Sequence, residues 1–328
     1  MSHPAGQCRN RPAFVLTLFM ILAAVLCAAV GGLGCRPAPT RPPPPAPVRI
    51  DPARFSGDRA FAEVKDLVAL GLRDSNTPGS ARAAEHLRQC LEARSIAARV
   101  DEFAAAMPGG TGVFRNVIGR VPGTQSGLIV LGAHYDTKSG MPEGFQGAND
   151  SGSGVGVLLE LARLLQESAW QGPEIRLAFL DGEECVRDYG EHDGLHGSRR
   201  LARQLAAAPG PAGIRGVIIV DMVGDADLNV SLPRNGTPDL ETRVFAAAQA
   251  EGVRSSFALF PGDVLDDHVP FLTAGIPAVD LIDFQYGSAP GLNDYWHAAG
   301  DRLEHVSPAS LATVGRVVLR TLPGLAAR

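Results

Sequence analysis

Short apolar runs rich in β-branched residues alternate along the chain with segments whose apolar residues recur at helical spacing. The predicted strands are 113–121, 128–133, 175–180, 217–220 and 276–282. The predicted helices are 61–72, 80–93, 153–167, 198–207, 240–251 and 307–322, the first two with Asp58 and Ser80 as N-caps. Such apolar runs suit strands that are buried on both faces. The pattern therefore predicts an α/β fold, a three-layer αβα sandwich around a central, mostly parallel twisted sheet.

The N-terminal segment has a different pattern, which is typical of an export signal. Two arginines precede an apolar run over residues 14–30, and small residues follow it. Cys35 resembles the lipid-modified cysteine of bacterial lipoproteins, although Gly32 stands where that motif prefers leucine. We therefore predict a lipoprotein-type secretory signal over residues 1–34, with Cys35 as a lipid anchor in a bacterial membrane and the protein in the periplasm or at the cell surface. The apolar run is also close to the ~20 residues that a membrane-spanning helix needs, so an uncleaved N-terminal anchor is one alternative. A secreted protein without an anchor is the other.

Residues 35–49 are rich in proline and predict a spacer. Prolines at seven positions between 37 and 47 prevent a packed core and favour an extended polyproline conformation. No repeat and no second linker follows, so residues 50–328 are predicted to form one domain. If the signal is removed and Cys35 is lipidated, Cys90 and Cys185 remain as the thiols, and the sequence leaves open whether they pair.

Composition excludes some partners. The chain has 45% hydrophobic and 20% charged residues and a net charge of −5, which is ordinary for a globular protein. Lysine occurs only at Lys65 and Lys138, and there is no basic tract. Nucleic acid is therefore not an expected partner, and contact with a membrane is expected only through the N-terminal anchor.

Polar side chains follow the predicted strands at the points where those strands end. They are His134, Asp136, Asp150, Glu183, Glu184, Asp221 and His297. Because ligands of parallel sheets bind beyond the carboxyl ends of the strands, these side chains are expected to lie close together. Imidazole and carboxylate ligands on a rigid sheet edge suit zinc.

The pair Glu183-Glu184 adds a catalytic hypothesis. Adjacent residues on an extended segment point to opposite sides, so one carboxylate can hold a metal while the other faces the substrate as a proton carrier. An isolated Glu-Glu pair is more often a solvated turn. The preceding apolar strand and the other polar strand ends favour the site.

These motifs resemble a known family. His134-Tyr135-Asp136, residues 147–152 and 181–184, Asp221 and His297 resemble the zinc aminopeptidases of the M28 type. Among these enzymes the chain is most similar to the glutaminyl-peptide cyclotransferases, or glutaminyl cyclases. That similarity lies in a long segment between Glu184 and Gly197, the motif Asp266-Asp267-His268-Val269-Pro270-Phe271-Leu272, and Trp296-His297.

The resemblance implies a role for each matching residue. Asp150, Glu184 and His297 would hold one zinc ion, and Glu183 would be the general acid/base. Asp221 and Asp266 would form a catalytic acidic network with Glu183. Trp296 would line the substrate pocket, and Tyr189 stands where animal cyclases have a pocket tryptophan. In the peptidases, residues equivalent to His134 and Asp221 hold a second zinc with Asp150 bridging, so one zinc is expected here and two are compatible with the ligand set.

The resemblance predicts a zinc-dependent glutaminyl-peptide cyclotransferase. Such an enzyme converts the N-terminal glutamine of peptides or proteins to pyroglutamate and releases ammonia. The first alternative is an M28-type zinc aminopeptidase that hydrolyses N-terminal residues. The second is a catalytically silent binding lipoprotein, which the retention of Asp150, Glu183, Glu184 and His297 disfavours. The oligomeric state is left open.

Overall fold

The computed structural model describes residues 50–168, 170–208 and 213–327. The signal predicted over residues 1–34, the lipid anchor Cys35 and the spacer over residues 35–49 lie outside the described residues and stay predictions. Within the described residues, no helix is both long enough and apolar enough to cross a membrane.

One eight-stranded sheet runs through the domain. From edge to edge its strands are β1 (Ala97–Met107), β2 (Gly110–Val121), β4 (Pro173–Leu180), β3 (Gln125–His134), β5 (Ile214–Asp221), β8 (Ala278–Ile282), β6 (Val230–Pro233) and β7 (Phe257–Phe260). The four central strands β4, β3, β5 and β8 are parallel. Antiparallel pairing joins β2 to β4, β1 to β2 and β6 to β8. The sheet is therefore parallel at its centre, antiparallel at the β1 edge and mixed at the other edge, where β6 pairs with β7 in parallel.

Helices cover both faces of the sheet. On one face lie α1 (Gly57–Val68), α2 (Pro78–Ala93), α3 (Gly152–Glu167), α5 (Pro238–Ala250) and α7 (Pro308–Ala326), and on the other lie α4 (His196–Ala207) and α6 (His268–Thr273). Strand β3 contributes side chains to the hydrophobic core on each face of the sheet. Ile129 and Leu131 pack on the first face, and Leu128 and Val130 pack on the second. The prediction of a three-layer αβα sandwich is confirmed.

Two helix starts differ from the prediction. The N-cap of α1 is Ser56, which accepts a hydrogen bond from the Arg59 amide, and not Asp58, which lies in the first turn. The N-cap of α2 is Thr77, because Pro78 takes the first helical position, where a missing N–H costs nothing. Ser80 lies inside the helix and is buried.

Strands β1, β6 and β7 were missed by the sequence pattern. Strand β1 pairs with β2 along its whole length, from Ala97 opposite Arg120 to Met107 opposite Gly110. Its side chains are half-buried or exposed along the whole strand, so no apolar run marks it. Edge strands of this kind depend on a neighbouring strand that local sequence does not reveal.

The two cysteines left open by the sequence are both free thiols. Cys185 is buried, and its sulfur lies 3.1 Å from the Lys138 ammonium. Cys90 lies on α2, and its sulfur is 3.5 Å from His86 Nε2. Neither thiol therefore belongs to a disulfide.

Close packing of α3 against β5 aligns the start of that helix with the strand ends. A Cβ at Gly154 would lie 2.2 Å from the Val220 carbonyl oxygen, so only glycine allows this approach. Strands β3 and β5 end in His134 and Asp221, and Asp150 lies just before α3. The ends of the parallel strands and of this helix therefore meet at one edge.

Candidate metal centre and active site

Two overlapping groups of potential metal ligands lie at the carboxyl ends of the central strands. One consists of His134, Asp150 and Asp221, and the other of Asp150, Glu184 and His297. Within each group the ligand atoms lie within 4.8 Å of one another. Asp150 belongs to both groups, so its two oxygens face two neighbouring positions.

The distances inside these groups are short. Nε2 of His297 lies 2.9 Å from Glu184 Oε1 and 3.3 Å from Asp150 Oδ2. Nε2 of His134 lies 3.2 Å from one oxygen each of Asp150 and Asp221. His297 has a left-handed backbone conformation with φ of 51°, as does Met222 beside Asp221 with φ of 49°. Such conformations cost energy in non-glycine residues and concentrate at functional sites.

These residues fit a bound zinc ion. All of the acids in both groups are buried, and buried carboxylates are stable only with a counter-charge or a proton. Burial raises the pKa of Glu184, whereas hydrogen bonds from His134 and His297 outweigh burial at Asp150 and lower its pKa. Oε2 of Glu184 and Nδ1 of His134 are buried and make no hydrogen bond within the described residues. The Lys138 ammonium, 3.4 Å from Glu184 Oε2, balances part of the charge of that carboxylate. One imidazole and two carboxylates with an open side form a donor set typical of catalytic zinc.

Asp136 orients the two glutamates. Its side-chain oxygens accept hydrogen bonds from the backbone amides of Glu183 and Glu184, each at 3.2 Å. It is fully buried, and Oδ1 also lies 3.5 Å from His134 Nδ1. From the sequence, Asp136 is one of the polar residues at the strand ends, with no role of its own. Its position two residues after His134 was the available signal, because metal-bound histidines commonly face a second carboxylate.

Asp301 holds the loop that presents Asp150. Its carboxylate accepts hydrogen bonds from the amides of Ala148 and Asn149, at 2.9 and 2.8 Å, and from the amide of Asp150, at 3.2 Å. The Tyr286 hydroxyl donates a further bond at 3.1 Å. Asp301 is fully buried and lies 151 residues from Asp150 in sequence, so no local signal marks it.

A buried arginine also holds the loop that carries Asp150. Arg73 is fully buried, and its guanidinium donates hydrogen bonds to the carbonyl oxygens of Tyr135 and Gly147, at 2.8 and 2.7 Å. Burial lowers its pKa to about 10, which still leaves it charged at neutral pH. Arg73 and Asp301 together fix both ends of the loop, and neither was predicted from the sequence.

Replacing Asp301 with alanine is expected to lower the free energy of unfolding by about 2–4 kcal/mol, because three buried amides lose their acceptor. Denaturant unfolding of the purified protein measures the change. Asp263→Ala is the matched control, since Asp263 is 65% exposed and forms an exposed ion pair with Arg234. It should change stability by less than about 0.5 kcal/mol. Equal small effects of both variants would contradict the role of Asp301.

Glu183 lines the same cavity as members of both ligand groups. It belongs to neither, and its two oxygens accept hydrogen bonds from the Tyr189 hydroxyl at 2.9 and 3.1 Å. Burial, followed by the charge of Glu184, raises the pKa of Glu183 well above its usual value. A buried carboxyl with a raised pKa next to a metal site is a typical general acid/base.

The segment between Glu184 and α4 is a structured loop that positions Tyr189. Asp193 is buried, and its carboxylate accepts hydrogen bonds from the amides of Val186, Arg187 and Asp188, at 2.6, 2.9 and 3.3 Å. This segment therefore turns back on itself and brings the Tyr189 hydroxyl onto Glu183. The sequence placed Tyr189 in the pocket only through the resemblance.

Behind Glu183 lies a buried acidic layer. Burial raises the pKa of Asp221 to about 7 and also raises the pKa of Asp266, which shares a side-chain hydrogen bond with Asp221. Asp280 and His268 are fully buried beside them, and Nδ1 of His268 lies 3.8 Å from Asp280 Oδ2. Burial lowers the pKa of His268 to about 4, so its ring is neutral at pH 7. These carboxyls are too close for all to be ionised, so they share protons.

A cavity of about 160 Å³ opens onto these groups. Glu183, Asp221 and Asp266 line it together with the metal-ligand candidates Asp150, Glu184 and His297 and with Tyr189 and Trp296. Trp296 and Leu265 are 42% and 48% exposed and form an apolar mouth. Met222, Val264, Ile282 and Phe284 complete the wall and were not assigned from the sequence. Pockets that enclose a whole small ligand span about 300–1,000 Å³, so this cavity suits a single terminal residue.

Comparison with known proteins agrees with this geometry. Residues 116–322 match the model of peptidase family M28. A glutaminyl-peptide cyclotransferase of Bos taurus is 29% identical over 285 residues, which cover 75% of this chain and 76% of that protein.

Solved structures give the same result. A glutaminyl cyclase from an Acidobacteriales bacterium is 33% identical with a TM-score of 0.77, and the match covers 89% of this chain and 100% of that chain. A leucine aminopeptidase precursor from Bacteroides thetaiotaomicron is 30% identical with a TM-score of 0.71, covering 82% of this chain and 97% of the other. Both kinds of relative are enzymes. The chain therefore belongs to peptidase family M28 and is an enzyme, either a glutaminyl cyclase or a peptidase of that family.

Proposed function

We propose that this protein is a zinc-dependent glutaminyl-peptide cyclotransferase, which converts an N-terminal glutamine to pyroglutamate and releases ammonia. The observation that carries the proposal is the small pocket in which Glu183 faces a complete zinc-ligand set under an exposed tryptophan. The similarity to a glutaminyl cyclase along that enzyme's whole length supports the choice of reaction.

Asp150, Glu184 and His297 would hold the catalytic zinc. A zinc ion bound there would supply Lewis-acid polarisation of the γ-amide carbonyl of the substrate. The walls of the pocket would orient the substrate. This orientation matters because the glutamine side chain must fold back so that its own α-amine faces the γ-carbon. An intramolecular attack of this kind gains most of its rate from such orientation.

Glu183 moves the proton. It accepts a proton from the α-amine as the new C–N bond forms, and it returns that proton to the γ-amide nitrogen as the old C–N bond breaks and ammonia leaves. The raised pKa of Glu183 lets it hold this proton between the two steps. The Tyr189 hydroxyl donates to both oxygens of Glu183 and so keeps the carboxyl facing the pocket.

An aminopeptidase is the second candidate. The complete group His134, Asp150 and Asp221 would suit a second zinc ion, and a leucine aminopeptidase precursor is among the relatives. In that reaction Glu183 would act as base toward water and not toward an amine. The silent binding lipoprotein is disfavoured, because both ligand groups and Glu183 are intact.

The purified protein is expected to release ammonia and form pyroglutamate from a peptide that begins with glutamine. The same peptide with an acetylated α-amine is the matched control and should give no ammonia, since its nucleophile is blocked. Leucine amide tests the peptidase reaction in parallel. Free leucine without pyroglutamate would overturn the cyclase proposal in favour of the peptidase.

A further inference from the structure

A second, larger depression lies beside the catalytic pocket. It is a groove of about 490 Å³ between α4 and α6, and its lining is mainly apolar. Two arginines, Arg199 and Arg203, also line it. The catalytic mechanism uses neither of them.

The two arginines lie one helical turn apart on the same face of α4. Within the described residues, neither makes a salt bridge within 4.0 Å, and Arg199 Nη1 donates to the backbone oxygen of Glu191 at 2.7 Å. Burial and the charge of Arg203 lower the pKa of Arg199, while the charges of Glu191 and Asp267 oppose this effect. Two neighbouring cations without a carboxylate partner form a site for an anionic group.

Arg200 shows the contrast on the same helix. It faces the other way, where its guanidinium lies 3.2 Å from Asp101 Oδ2 and over the ring of Phe103. Its charge is therefore already balanced within the protein. Arg199 and Arg203 are the arginines of α4 that face the groove.

The groove adjoins the catalytic pocket. Leu265 lines both, and it is 48% exposed. Leu195 also lines the groove, and its amide donates to the Glu183 carbonyl oxygen at 2.9 Å. The pocket admits a single terminal residue, so the rest of a bound peptide must leave over this mouth. An extended chain advances about 3.3–3.6 Å per residue, so the next few residues reach the groove.

We propose that this groove binds the second to fourth residues of the peptide substrate, and that Arg199 and Arg203 select acidic side chains at these positions. The assignment rests on the proposed action on peptide N-termini. The whole protein carries a net charge of −5, so a preference for acidic peptides cannot come from its overall charge. It must come from the local pair of arginines.

Three fluorescent amidated peptides test the groove: Gln-Ala-Glu-Glu-Ala, Gln-Ala-Ala-Ala-Ala and Gln-Ala-Lys-Lys-Ala. Fluorescence anisotropy measures their Kd, and ammonia release measures turnover. We expect the acidic peptide to bind roughly 5- to 20-fold more tightly than the neutral one at low salt, because each exposed charge pair contributes a few-fold. The ratio should fall as salt is raised.

The double variant Arg199→Gln/Arg203→Gln should reduce this preference, measured within the variant as the ratio of the Kd values of the neutral and acidic peptides, to less than about twofold. Arg200→Gln is the matched control and should retain the preference. Equal binding of the three peptides by the natural protein, or a preference that survives in the double variant, would overturn the inference. If no peptide releases ammonia, the cyclase proposal fails. The anisotropy comparison would still show whether the groove binds acidic peptides preferentially.

Discussion

Glu183→Gln is expected to lower kcat on a glutamine-initiated peptide by roughly 10²- to 10⁴-fold, the usual contribution of a positioned proton carrier. The variant keeps the size of the side chain but cannot take a proton from the amine. Zinc content and thermal stability should stay unchanged, because Glu183 belongs to neither ligand group. Steady-state kinetics and metal analysis on the same preparation measure both effects.

Two further variants separate this role from a general effect of charge. Glu143→Gln removes an exposed carboxyl from a loop and should leave kcat unchanged. Tyr189→Phe keeps Glu183 but removes the hydroxyl bound to it, so its loss should be smaller than that of Glu183→Gln. Retained turnover in Glu183→Gln would contradict its assignment as the acid/base.

The purified protein is expected to carry one zinc ion per chain, and His297→Ala is expected to lose it. His134→Ala should keep it, because His134 belongs only to the group with Asp150 and Asp221, which does not include His297. Asp150→Ala should also lose this zinc, since Asp150 contributes to both of the overlapping groups. Loss of a direct ligand should weaken zinc binding by more than the roughly 10- to 100-fold that loss of an outer partner costs. Elemental analysis of each purified variant gives the stoichiometry.

His86→Ala is the control for this series, because His86 lies on α2 and contacts Cys90. It should bind as much zinc as the natural chain. Two zinc ions per chain, of which His134→Ala loses one, would contradict the single-zinc expectation and favour the peptidase reaction. Zinc also binds the folded state selectively, so its removal by a chelator should lower the midpoint of thermal unfolding.

Much of the metal site could be predicted from the sequence, because its members follow apolar strands. His134 and Asp221 are the last residues of β3 and β5, and the pair Glu183-Glu184 follows β4. The types of the candidate ligands and their order along the chain could therefore be predicted from the sequence. Asp136 was visible as well, but its hydrogen bonds to the two glutamate amides depend on how the turn after β4 folds.

Residues that position the site were harder to find. Asp301 and Arg73 hold the Asp150 loop through backbone atoms, and backbone contacts leave no mark in the sequence of the loop itself. The edge strand β1 was missed because an exposed strand has no apolar run. The N-caps differed by two or three residues, since several polar residues near each helix start compete for the same amides.

The sequence by itself determined the layered α/β architecture and the strand ends that carry candidate metal ligands, because these follow from local periodicity and from side-chain chemistry. The role expected of each ligand came from the family resemblance. Tertiary structure alone decided which of these groups meet. His297 lies 113 residues from Glu184 and joins it through a loop with a left-handed backbone at His297 itself. It likewise decided that Arg199 and Arg203 face a groove beside the pocket while Arg200 pairs with Asp101. Such pairings depend on the packing of distant segments, which the local pattern of a chain does not encode.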